Sequence, residues 1–291
     1  MLKVSLCTPT YNRRPFINQA IQCVQHQDYT GPMEWIIVDD GTDPIHDLVA
    51  HLPHVKYIRI HKKMPLGYKR NLIHANCTGD ILVYMDDDDY YPPTRVSHAV
   101  QRLQSSKCLV AGSSIIHIYY HDLEKILEFG PYLPYHATAG TFAFKKELLL
   151  QTSYDDEACM AEENFFLKNY SFPLLQLDPK HVILVVCHNY NTVDKRNVIK
   201  DGQGKPCSFN IDHIITNPTL LQFFKHDILT ISYSPGDPSQ KTDVVQYQQV
   251  LNSVNEFKIK FNNKIFKGND ILLILNKQLQ LLQKHKIPLQ I

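Results

Sequence analysis

The sequence predicts an α/β protein built on a mostly parallel sheet with helices on both faces. Two observations carry the prediction. Short apolar runs alternate with segments of helical spacing through the first ninety residues, and three of those four runs end in polar motifs. Parallel strands need crossover connections, which helices supply, and ligands of such sheets bind at the carboxyl ends of the strands.

The elements follow in order. Lys3–Cys7 is a strand broken by Thr-Pro-Thr, and Phe16–Val24 carries apolar residues at near-helical spacing. Trp35–Val38 is a second strand, ended by Asp39-Asp40-Gly41, and Val55–Ile60 is a third. Gly67 opens a helix through about Ala75, and Ile81–Met85 is a fourth strand, running straight into four aspartates. A helix from Pro93 to Leu103 precedes a hairpin of Val110–Tyr120 with Ile126–Phe129, and a connection rich in Pro, Tyr and Gly then leads to Phe142, in a stretch suited to shaping an acceptor groove. Glu162–Tyr170 reads as a short helix, and His181–Cys187 as an apolar strand leading into His188-Asn189. Beyond about Asn217 the texture changes. Residues 241–291 hold eight Lys, no Arg and three acids, with helical spacing over 242–257 and 270–285. The expected domains are therefore 1–217, divided into halves at 1–95 and 96–217, and a mainly helical accessory region (218–291), whose apolar spacing suits a homo-oligomer contact.

Composition narrows the classes of function. With 30 Lys+Arg against 29 Asp+Glu, the net charge of +1 gives no field for a nucleic-acid partner. No run approaches the roughly 20 apolar residues of a membrane span. The seven cysteines are scattered without a C-x-x-C pair, so they read as reduced thiols of a cytoplasmic protein.

Asp86-Asp87-Asp88-Asp89 has two readings. One is a solvated acidic turn or helix N-cap before Pro92-Pro93. The other is a divalent-cation site, because carboxylates two residues apart at a strand end face one side, so that Asp86 and Asp88 share a hard cation with diphosphate oxygens.

Cys7-Thr-Pro-Thr-Tyr-Asn-Arg13, Ile37-Val-Asp-Asp-Gly41, Gly67-Tyr-Lys-Arg-Asn71 and Tyr84-Met-Asp-Asp-Asp-Asp-Tyr-Tyr-Pro92, in this order, resemble the successive nucleotide-sugar motifs of family 2 glycosyltransferases with the GT-A fold. The resemblance implies that 1–95 is a nucleotide-binding half and 96–217 an acceptor-binding, catalytic half, and that Thr8, Pro9, Tyr11 and Arg13 line the nucleotide pocket, with Tyr11 against a uracil ring. It also implies that Asp40, or its neighbour Asp39, accepts a hydrogen bond from the uracil imide. Lys69 and Arg70, on a helix whose N-terminus favours phosphate, are expected to contact the donor, together with Asp86 and Asp87. Glu162-Glu163 takes the place of the family's Glu-Asp pair, and Glu163 is the expected base with Glu162 the alternative. His188 stands where several GT-A enzymes place a metal-binding His beyond the base. The implied metal set is Asp86, Asp88 and His188, and an imidazole among oxygens favours Mn²⁺ over Mg²⁺. Lys195 or Arg196 is placed to reach the same diphosphate.

The expected function is transfer of a sugar from a UDP-sugar to a hydroxyl of a glycan, protein or lipid-linked acceptor, with inversion. Two alternatives stay open. One is a sugar-phosphate nucleotidyltransferase, although the Gly-rich loop usual after the first strand is missing here. The other is a non-catalytic subunit that binds a nucleotide-sugar.

Overall fold

The structure, a computed structural model, describes residues 1–132, 135–159, 161–200, 204–234, 258–261 and 264–267. Chain contacts divide it into two units, 1–236 and 237–291.

The first unit opens with β1 (Val4–Thr10), α1 (Arg14–Gln25), β2 (Met33–Asp39), α2 (His46–Val49), β3 (Val55–Arg59), α3 (Leu66–Asn76) and β4 (Ile81–Tyr84). These four strands are parallel in the spatial order β3-β2-β1-β4. Because the chain winds outward from β1 in both directions, a crevice forms beyond the carboxyl ends of β1 and β4, where open α/β sheets hold ligands. Strand periodicity then sorts the apolar side chains. Val4, Leu6, Trp35, Ile37, Ile81 and Val83 join one core cluster with Phe16 and Ile17 of α1, whereas Cys7, Ile36, Val38, Leu82 and Tyr84 join another with Ile73 of α3. Helices therefore cover both faces, as expected.

Next come α4 (Arg95–Gln104), β5 (Val110–Gly112), β6 (Ile116–Tyr120), β7 (Lys125–Phe129) and β8 (Ala143–Lys145). The single strand expected over Val110–Tyr120 is in fact two. Side chains replace the ladder at Ser113-Ser114. The Ser113 amide donates to Thr141 Oγ1 at 3.0 Å, and the Ser114 amide to Gln176 Oε1 at 2.9 Å. The chain thus leaves the main sheet after β5 and starts a second sheet with β6, whose hairpin with β7 is antiparallel as expected.

The remaining elements are α5 (Glu163–Phe166), β9 (Leu174–Gln176), β10 (Leu184–Cys187), α6 (Arg196–Lys200), β11 (Lys205–Pro206), α7 (Ile211–Ile214) and α8 (Pro218–Lys225). They complete a seven-stranded sheet, β3-β2-β1-β4-β8-β5-β9, and a four-stranded one, β10-β6-β7-β11. The helix expected over Glu162–Tyr170 is a single turn, because Lys168, Asn169 and Tyr170 all take positive φ.

The boundary expected at 217 falls later, at 236. Asn217 caps α8 by accepting from the Leu220 amide at 3.1 Å, and Leu220, Phe223 and Phe224 are buried in the main core, with Phe223 edge-on to Phe16. Burying side chains of this size contributes about 1.5–3 kcal/mol each, enough to hold the segment in the first unit. In the second unit the described residues form an antiparallel pair, β12 (Lys258–Phe261) with β13 (Lys264–Lys267). The helical segments expected over 242–257 and 270–285, and the oligomer contact assigned to them, lie outside the described residues. Among the described residues no helix is long and apolar enough to cross a membrane.

Candidate active site

The loops after β1, β2 and β4 meet along one edge of the main sheet. Asn12, in the left-handed region at φ 53°, latches the first loop to the second: its Oδ1 accepts from the Thr42 amide at 2.7 Å and the Asp43 amide at 3.2 Å. Asparagine tolerates this conformation better than most residues. Gly41 is required beneath it, since a Cβ there would stand 2.6 Å from the Asn12 backbone nitrogen.

The two aspartates after β2 are distinct. Asp39 is a structural anchor, accepting from the Gly41 amide at 2.8 Å and from Tyr57 Oη at 2.7 Å. Asp40 takes Lys69 Nζ at 2.7 Å on one oxygen and the Met64 amide at 2.8 Å on the other, which fixes its carboxylate plane. Tyr11 is half-buried between cations, with Lys63 Nζ 5.2 Å and Lys69 Nζ 5.9 Å from its ring centre. Pro9 is half-buried beside it in sequence.

Three expectations change here. Thr8 is buried, its hydroxyl donating to the Met85 carbonyl at 2.6 Å and accepting from Trp35 Nε1 at 2.8 Å, so it ties β1 to the end of β4 rather than lining a pocket. The N-terminus of α3 is already covered, because the Gly67 amide donates to the Ala158 carbonyl at 2.9 Å. One amide of that helix end is thereby withdrawn from any anion. Lys69 and Arg70 are instead paired with carboxylates, Lys69 with Asp40 and Arg70 Nε with Glu162 Oε1 at 2.8 Å.

The four aspartates divide their duties. Asp89 extends the backbone ladder sideways: its Oδ1 accepts from the Val186 amide at 3.0 Å, next to a bridge in which Tyr90 and Leu184 exchange both amide hydrogen bonds. That joint brings the end of β10, and with it His188, to 3.6 Å from Asp88. Arg13 spans Asp87 and Asp88 at 3.6 and 3.3 Å, tying the two carboxylates to the loop after β1. Burial raises the pKa of Asp86, and pushes Asp87 up to about 7 against the pull of Arg13. For Asp88 burial acts in the same sense, but Arg13, His188 and Lys195 outweigh it and hold the carboxyl below its usual range.

This donor set suits a hard divalent cation. Asp87 Oδ2 is buried with no hydrogen-bond partner, and the neighbouring carboxylates repel one another. Asp86 and Asp88 would hold such an ion. His188 does not complete the expected trio, since ligand atoms of Asp86, Asp88 and His188 do not gather within 4.8 Å of one another. Its Nδ1 accepts from the Tyr190 amide at 3.1 Å, and its Nε2, 2.9 Å from Asn191 Nδ2, lies 3.6 Å from Asp88 Oδ2. Burial keeps that ring neutral, pulling its pKa down to about 4.

Glu162 and Glu163 separate as acid and base chemistry requires. Glu162 is buried against Arg70. Glu163, the half-exposed residue that follows it, is pushed up to about 7 by burial and then by repulsion from Glu162. Lys195 faces the same cluster, acting electrostatically on Asp86, Asp88, Asp89 and Glu163, whereas Arg196 is occupied with Asp194 at the surface.

The model of glycosyl transferase family 2 matches residues 5–161, more than half of the chain. The chain belongs to this family. Among family relatives, the GalNAc(5)-diNAcBac-PP-undecaprenol beta-1,3-glucosyltransferase of Campylobacter jejuni is 29% identical over 123 residues, 40% of this chain and 39% of that protein. The chain thus spans well under half the length of that curated relative. Among solved structures, S. aureus TarS 1–349 in complex with UDP superimposes with a TM-score of 0.53 at 17% identity, covering 87% of this chain and 78% of that one. The mannosyltransferase PcManGT from Pyrobaculum calidifontis, in complex with GDP-Man and Mn²⁺, gives 0.52 at 17%, covering 87% and 81%. The GT-A fold expected from the motifs is the fold observed.

Membership in family 2 removes the nucleotidyltransferase alternative and leaves two residues that the motifs did not single out. Asn12 lay inside a quoted motif, and only its positive φ reveals the latch. Arg95 is wholly buried without a carboxylate partner, its Nη2 donating to the carbonyls of Thr141 and Phe142 at 2.9 and 2.7 Å. Its position just after Pro92-Pro93 gave no sign that it holds the β4–β8 end beneath Asp86.

Proposed function

We propose that the chain transfers a sugar from a UDP-sugar to an acceptor hydroxyl with inversion, assisted by a divalent cation, manganese before magnesium. The observation that carries this reading is the split at Glu162-Glu163, where one carboxylate is neutralised by Arg70 and the other is poised near neutral pH. A general base works best with a pKa close to the operating pH, and only one such group is needed for a single displacement.

Glu163 takes the acceptor proton as the hydroxyl oxygen attacks the anomeric carbon. Asp40, fixed by Lys69 and the Met64 amide, accepts from the imide of the base, and Tyr11 covers the ring. Lys195 and Arg13 meet the negative charge that develops on the departing diphosphate. A cation held by Asp86 and Asp88 would supply Lewis-acid stabilisation of the same charge. His188 packs beside Asp88, its ring neutral and 3.6 Å from the carboxylate. The acceptor is a glycan or a lipid-linked saccharide, in keeping with the Campylobacter relative, and the reaction belongs in the cytoplasm, where thiols such as Cys7 and Cys77, 3.7 Å apart, stay reduced.

Incubation with a panel of UDP-sugars and GDP-mannose in the presence of Mn²⁺, followed by measurement of released nucleotide, tests the reading. UDP release from one UDP-sugar supports it. Release only from GDP-mannose overturns the choice of uridine, and no release from any donor overturns the enzymatic reading in favour of a binding subunit.

A further inference from the structure

Away from the aspartates, three residues distant in sequence meet on one face of the second sheet. His117 on β6 lies directly opposite Glu128 on β7, and such pairs project side chains to the same side. On the other edge of β7, Lys205 of β11 faces Glu128, so Cys207, two residues further and donating its amide to Ile126 at 2.9 Å, returns to that same side. His117 Nε2 stands 3.2 Å from Glu128 Oε2, and the ligand atoms of His117, Glu128 and Cys207 lie within 4.8 Å of one another. Among the described residues this is the one group of three or more His, Cys, Asp or Glu side chains gathered so closely.

We propose that His117, Glu128 and Cys207 form a zinc site, separate from the carboxylate cluster of the active site. Bond lengths of about 2.0–2.3 Å to nitrogen, oxygen and sulfur place tetrahedral ligands about 3.3–3.6 Å apart. The His117–Glu128 separation already matches, and Cys207 closes by side-chain rotation. The fourth position opens to water on the side where Glu128 is exposed. An imidazole and a thiolate select zinc over magnesium or manganese, which prefer oxygen, so the two sites sort different metals. The thiol gives its proton to solvent as the metal binds.

Three protein ligands and an open position are not the closed set of a purely structural site, but the surroundings suit a clamp. His117 is buried, and the edge of Phe209 packs on its ring at 5.3 Å, limiting the approach of water from that side. β11 has only two residues, too few to hold the chain that returns from α6 by its ladder alone. A metal bridging Cys207 to β6 and β7 would clamp that return. His117 also pairs with Leu184 of β10, so the clamp stiffens the sheet that carries His188.

The test is titration of the full chain, stripped with chelator, with Co²⁺ as a spectroscopic substitute for Zn²⁺. We expect a thiolate-to-cobalt charge-transfer band in the near ultraviolet, displaced by Zn²⁺ and retained in Asp88→Ala. Cys207→Ser should lose the band and weaken zinc about 100-fold, and Glu128→Gln should weaken it less. Zinc should raise the Tm of the wild-type chain and leave that of Cys207→Ser unmoved, while the two metal-free proteins melt alike. Absence of the band, or its persistence in Cys207→Ser, would reduce the cluster to a hydrogen-bonded His–Glu pair beside a passive thiol.

Discussion

Arg70 Nε donates to Glu162 Oε1 at 2.8 Å, joining the third helix to a residue 92 positions away, with both side chains at least 95% buried. The pair removes Glu162 from proton transfer and leaves its repulsion to act on Glu163. Glu163→Gln should therefore lower transfer by about 10²–10⁴-fold with little change in donor affinity. Glu162→Gln should instead destabilise the fold, by about 3–5 kcal/mol, because it strands a buried guanidinium. Kinetics and thermal melts on both variants distinguish these effects. A larger catalytic loss at Glu162 would move the base by one residue.

Burial and Glu162 place the Glu163 pKa at about 7, and the reactive form is the carboxylate. The transfer rate should rise with pH through about 7, and Glu163→Gln should flatten that limb. Stability runs the other way. Asp87 and Glu163 have folded pKa values raised above their ordinary 3.8 and 4.5, so their contribution is full below those ordinary values and is lost as pH rises through about 7. In chelator, the melting temperature should fall between pH 5 and 8, and Asp87→Asn should reduce the fall.

Asp88 is held ionised chiefly by Arg13, beside the buried, unpartnered Asp87 Oδ2. Asp88→Ala should abolish the manganese dependence of UDP binding, read by calorimetry, while circular dichroism stays native. Unchanged affinity with manganese present would make the four aspartates a structural joint and nothing more.

Lys69→Met leaves Asp40 buried without its cation, for a cost of about 3–5 kcal/mol. It should also weaken UDP binding more than binding of free diphosphate, because the lysine orients the carboxylate that faces the base. Equal losses for both ligands would return Lys69 to the phosphate.

The first four strands were legible because a two-residue alternation, interrupted by Thr-Pro, Asp-Asp-Gly and the aspartates, is a local signal. That Asp40, Asp88 and Glu163 stand at element ends was legible for the same reason, each lying in a short motif. Partnerships were not, since nothing near Arg70 in the chain points to Glu162, or near Asp88 to His188. Thr8 misled because a polar residue at a strand end reads as pocket lining, whereas a hydroxyl bonded to Met85 and Trp35 is a core residue. The break at Ser113-Ser114 was hidden because apolar residues continue on both sides, and its cause lies in Thr141 and Gln176, far along the chain.

The bridge between Tyr90 and Leu184, with Asp89 bonded to the Val186 amide beside it, is a weld between the loop after β4 and the second sheet, next to the carboxylates. The weld sets the distance from Asp88 to His188 without help from the residues that contact only the periphery between them. Loops that lie away from this weld should therefore tolerate insertion or deletion with the separation of Asp88 and His188 unchanged.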